Sequence, residues 1–271
     1  MIDPTKPASF NASTNFDIRD MAHLLLLNAK RQYELGNNRK GLESIIASLR
    51  LAKRVHEGST GLIHHVIGMA VSALTIESVS AQLASETDRE LIQETLDALV
   101  ANEPLNEEFA ESWRWEYQLI KKFVIAIADG KVSIGAFGGT RPPKGGYERL
   151  LGTFFKKNMT LEKMVEMFDR RIEDAETSLA QRPNRGKESE LDTWTRYVSI
   201  NFAGIMLADG SGAILSGVDS ENLRVFANYR LQQLLAAVRL YEIDQGSVPN
   251  SLDQLVPVYV RKIPIDSHRS L

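Results

Sequence analysis

Residues 59–84 read STGLIHHVIGMAVSALTIESVSAQLA, and the only ionisable side chains among them are His64, His65 and Glu77. No proline interrupts the run, so it forms a single helix, and a helix apolar almost all round needs cover on nearly every side. That places it at the centre of an all-α core. Residues 61–76 come nearest to a membrane span, but they fall about four short of the roughly 20 a bilayer requires. They also carry two adjacent histidines, so a soluble core helix is the expectation.

Outward from this centre the chain is patterned as amphipathic helices. Upstream, Ile18, Met21, Leu25 and Ala29 repeat at helical spacing behind a capping box of Thr14 and Asp17. Gly36, Asn37 and Asn38 stop that helix, because both residue types tolerate the left-handed conformation. Leu42, Ile45, Ile46, Leu49 and Val55 form the inward face of a second helix ending near Glu57 and Gly58, which makes an antiparallel hairpin with the first.

Downstream, Thr87 and Glu90 cap a fourth helix that stops before Pro104. Asn106 starts a fifth, whose stripe of Phe109, Trp113, Tyr117, Ile120, Val124 and Ile127 reads as core packing and runs to Asp129 and Gly130. Leu161, Met164, Val165, Phe168, Ile172 and Leu179 define a sixth helix, and Leu191, Trp194, Val198, Phe202 and Ile205 a seventh. The glycine-rich residues 209–217 separate it from an eighth, expected from near Asp219 to about Asp244. Gly246 then ends the helix, Pro249 prevents its continuation, and Ser251 with Gln254 caps a short turn that Pro257 closes; residues 259–265 read as extended.

The expected organisation is a loose arm over residues 1–13 and one all-helical domain over 14–271, with about eight helices in antiparallel hairpins. A glycine- and proline-rich loop at 130–157, with seven glycines, breaks the pattern. The hairpin around Tyr33, Gly36 and Gly41 is tetratricopeptide-like. A step of 34 residues sets Ile63 under Ala29 and Ala70 under Gly36, so it is one repeat-like unit and no array.

The composition narrows the chemistry. Without cysteine there is no disulfide, thiolate metal site or cysteine nucleophile, and a formal charge of −3 gives no footprint for nucleic acid. Charge is uneven along the chain: residues 86–111 hold nine acids against Arg89, and residues 130–157 hold six basic side chains against Glu148. Two such segments could face one another or recruit different partners.

No metal ligand set, cofactor loop or catalytic motif stands out. His64 and His65 point about 100° apart on a helix, so one ion cannot take both in the usual way. A core or interface histidine is the better reading of each. Glu77, a lone carboxylate on an apolar helix, must find a partner or shift its pKa upward, and it reads as a buried structural glutamate bonded to a neighbouring helix ahead of a general acid. Trp115 and Glu116, in the run Glu111-Ser-Trp-Arg-Trp-Glu116, combine an indole face with a carboxylate. His64, Glu77, Trp115 and Glu116 are therefore the candidate ligand-binding residues.

Several segments resemble a group of uncharacterised bacterial proteins, all-helical and envelope-associated, which form a domain of unknown function. The matching pieces are residues 29–51, Leu62-Ile-His-His-Val-Ile-Gly-Met-Ala70, Phe154-Phe-Lys-Lys-Asn158-Met-Thr160 and Asn201-Phe-Ala-Gly204-Ile-Met-Leu207. The carboxy-terminal run from Arg239 through Tyr241, Gly246 and Pro249 to Asp266 is similar to the Tyr-Gly-Pro turn of pseudopilins. The group usually begins with a membrane anchor, where this sequence begins with polar residues. The expectation is either the soluble portion of a longer protein, periplasmic or envelope-associated, or a cytoplasmic relative.

Helix packing and asymmetric charge, without a chemical motif, imply a non-enzymatic interaction or scaffolding module of the bacterial envelope with a protein partner. The competing expectation is an enzyme or small-ligand binder with a helix-lined pocket near Glu77 and Trp115. A buried, partnerless Glu77 beside a deep cavity would favour the second; a filled core with flat charged faces would favour the first.

Overall fold

A computed structural model describes residues 12–132, 153–177 and 200–263. The seven α-helices among them are α1 (Ala12–Glu34), α2 (Asn38–Glu57), α3 (Leu62–Ser85), α4 (Arg89–Asn102), α5 (Asn106–Ala128), α6 (Lys157–Glu176) and α7 (Phe202–Gln245). A short 3-10 helix (Leu252–Leu255) follows, and no strand occurs among the described residues. The chain is all-α. Most of the expected arm, residues 133–152 of the glycine loop and residues 178–199 of the expected sixth and seventh helices lie outside the described residues.

Side-chain contacts fix the register of the first three helices. The Asn28 amide donates to Ser44 Oγ at 2.8 Å, the Tyr33 ring lies over Gly41, and Ala22 packs with Ala52. As α1 advances α2 recedes, so the two are antiparallel across the turn at Gly36, whose φ of 73° needs glycine. The same logic holds for α2 and α3: His56 meets Ser72, Ser48 meets Thr75 and Asn38 meets Glu86. By contrast, α2 and α4 run parallel, with Arg39 bonded to Glu90 and Glu94 and Lys53 to Glu103 and Glu108.

The chain divides into two compact units, one comprising chiefly residues 109–219 and the other residues 11–59, 63–108 and 220–271. In the first, Phe109, Trp113, Ile120 and Val124 of α5 pack with Met164, Phe168 and Ala175 of α6. The aromatic stripe of α5 is thus core. Asn201 joins two of the motifs quoted above: its Oδ1 accepts from the Lys156 N–H at 2.7 Å and the Thr160 hydroxyl at 3.1 Å. A Cβ at Gly204 would collide with both Thr160 and Asn201, so glycine permits the close approach.

In the second unit, Leu42, Ile45 and Leu49 of α2 are buried, as are Met69, Val71, Ile76, Val79 and Leu83 of α3. Each such side chain contributes about 1.5–3 kcal/mol on leaving water. Val225, Phe226, Tyr229, Ala236, Ala237 and Leu240 of α7 add a third buried stripe. Arg89 grips Asp244 through two hydrogen bonds of 2.7 and 3.0 Å, and Arg230 with Gln233 holds Glu103.

Several local expectations need correction. Cover of α3 is one-sided: Ile63, Val66, Glu77, Ala81 and Ala84 face solvent. Alanine scores as apolar yet exposes little area, so an Ala-rich face tolerates water. α7 runs unbroken through residues 209–217, since isolated glycines cost about 1 kcal/mol each but leave every backbone donor in place. α1 begins at Ala12, so Thr14 is not its cap, and Asp88, not Thr87, caps α4 by accepting from the N–H groups of Glu90 and Leu91. Of the expected extended tail over residues 259–265, Tyr259 closes a turn and residues 260–263 form no strand, while 264 and 265 lie outside the described residues. Ser251 makes no side-chain cap bond; the Gln254 side-chain Oε1 accepts from the Asn250 N–H at 2.7 Å instead.

Candidate functional site

Of the candidate residues, Glu116 and Trp115 belong to the first unit, where Trp115 is 46% exposed, and His64 and Glu77 to the second. The Glu116 carboxylate accepts from the Leu62 N–H at 3.2 Å and so caps the first turn of α3. Burial raises its pKa, and that hydrogen bond partly offsets the rise. His64 is half-buried on α3.

His65 is fully buried and belongs to a polar chain that the sequence did not announce. Its Nε2 lies 2.9 Å from Asn222 Oδ1, which only accepts, so Nε2 carries the proton. His65 Nδ1 is then an acceptor for His56 Nδ1–H at 3.3 Å, and His56 Nε2 in turn accepts from the Ser72 hydroxyl at 3.3 Å. Both rings use both nitrogens while neutral. Burial, then the facing His65 and the Lys53 charge, push His56 down to about 3; burial pushes His65 down to about 4 against the help of Asn222. Three of the five histidines fall within residues 56–65, and that clustering was the available signal.

Glu77 is exposed, which corrects the expectation of a buried structural carboxylate. It stands on the wall of a groove of about 580 Å³ in the second unit, between α1, the start of α2 and the end of α3. Lys30, Tyr33 and Glu34 line it from α1, and Gln82 and Glu86 join Glu77 from α3. Glu86 is buried and well bonded, accepting from Asn38 Nδ2 and from the N–H groups of Thr87 and Asp88. Two buried polar atoms at the groove have no partner: the Tyr33 hydroxyl and Gln82 Nε2. Burial and the nearby Glu86 charge push the Tyr33 phenol above its ordinary range, so it stays protonated.

The acidic stretch 86–111 is largely consumed by pairing. Glu90 and Glu94 bind Arg39, Glu103 binds Arg230, Glu108 binds Lys53 and Glu111 binds Arg114. Among the described residues no group of three or more histidines and carboxylates is placed to hold a metal ion.

By length and composition α3 is the one helix among the described residues able to cross a membrane, and half of its apolar window is buried within the protein. Comparison with protein-family models, with curated proteins and with solved structures finds no match for this chain.

Proposed function

We propose that the chain is a non-enzymatic protein-interaction module, placed at the bacterial envelope as the resemblance implies. The observation that carries this reading is the outer face of α1, where Met21, Leu24 and Leu27 are 52%, 67% and 62% exposed. Their three-residue spacing sets them in one stripe, and Leu35 is exposed just past the helix end. Isolated exposed leucines are ordinary, but a contiguous apolar stripe on one helix marks a surface that gains by being covered. An amphipathic helix docked through such anchors is a recurrent mode of recognition.

The test is the double substitution Leu24→Glu and Leu27→Glu, followed by co-purification from native cells. The variant keeps its helical circular dichroism and loses a discrete protein that the wild type retains. Equal recovery of that protein by the folded variant refutes the reading. A second reading, a small-ligand binder, is favoured by the groove beside Glu77 with its two unpartnered polar atoms.

A further inference from the structure

Resting on that second reading, we propose that the groove formed by α1, α2 and α3 binds a small zwitterion with a cationic side chain, the chemistry of a free basic amino acid. Among the described residues, Glu34 and Glu77 line the groove without a hydrogen bond or ion pair, and so does Lys30. With the fully bonded Glu86, the walls carry three carboxylates against one ammonium. A ligand with net positive charge is therefore preferred, and an anionic one is repelled.

Charge alone would suit a simple diamine. Gln82 argues for more. Its residue is only 5% exposed, its Oε1 takes the Thr95 hydroxyl at 3.3 Å, and its Nε2 donates to nothing. A buried donor left unmade is costly, so the ligand that fits best brings an acceptor oxygen to it. Lys30 and the protonated Tyr33 hydroxyl are further groups for a carboxylate to meet. Glu34 and Glu77, on facing helices, are left to hold the ammonium or guanidinium end. The volume of about 580 Å³ lies within the range of about 300–1,000 Å³ usual for small-ligand sites.

Isothermal titration of the full chain tests this with L-arginine and L-lysine, then agmatine and cadaverine, L-glutamine, L-glutamate and a short arginine-bearing peptide. The expected result is saturable binding of L-arginine or L-lysine, weakened about tenfold by Glu77→Gln and by Gln82→Leu, with the decarboxylated amines weaker than their parents. Glu77 is exposed, so Glu77→Gln carries the test even where Gln82→Leu fails to fold. Agmatine binding as tightly as arginine refutes the donor role of Gln82. Saturable binding of glutamine or glutamate alone overturns the basic zwitterion but keeps a small-ligand groove. Binding of the peptide alone overturns the proposal in favour of a protein segment. No binding by any probe overturns the proposal and the second reading together.

Discussion

Acid should unfold this protein through His56 and His65 before its carboxylates titrate. The folded chain holds both rings neutral, with pKa values of about 3 and about 4. In the unfolded chain each takes up a proton near pH 6.5. Because the folded-state values are depressed, the contribution is fully present above about pH 6.5 and is lost as pH falls below it, until the folded rings titrate in turn. At pH 5 the unfolded state binds almost two more protons than the folded state. Integrating from pH 7 to pH 5 gives a loss of about 4 kcal/mol, a large share of the roughly 5–15 kcal/mol that holds a domain together. Urea denaturation followed by circular dichroism at pH 8, 7, 6 and 5 measures it. The double variant His56→Gln, His65→Gln should lose no more than about 1 kcal/mol over the same interval. A flat wild-type profile, or an equal loss in the variant, would refute the argument.

Gly68→Ala should destabilise by about 1–3 kcal/mol in thermal melts, because its Cβ would sit 2.8 Å from Cε1 of the buried His56 ring. Glu116→Ala should cost about 1 kcal/mol by removing the acceptor for the Leu62 N–H, a loss that chemical denaturation would register while the helix content stays unchanged. Gly246→Val should lower the melting midpoint by the equivalent of at least about 1 kcal/mol, since φ there is 69° and a β-branched residue is strained in that conformation.

What the sequence made legible was local. Gly36, Gly58, Pro104, Gly130 and Gly246 each end a helix within a residue or two of where their backbone preferences place the stop. The hairpin of α1 and α2 followed from the same grammar, and so did the aromatic core of α5. What escaped depended on partners far along the chain. Nothing near residue 210 says that α7 continues, because isolated glycines lower the helix preference without removing any backbone donor. Glu77 looked buried because alanines inflate the apolarity of its helix. The groove was invisible because Tyr33 and Gln82 are unremarkable residue types, and only folding brings them to one groove without partners.

The central claim is that the outer face of α1 meets another protein, and site-specific photo-crosslinking in native cells tests it most directly. A photoreactive residue replacing Leu24 on that face is compared with one replacing Glu43, which is exposed on α2. The account predicts a discrete higher-mass adduct from position 24 and none from position 43. The absence of an adduct at 24, or the same adduct from both positions, would contradict it.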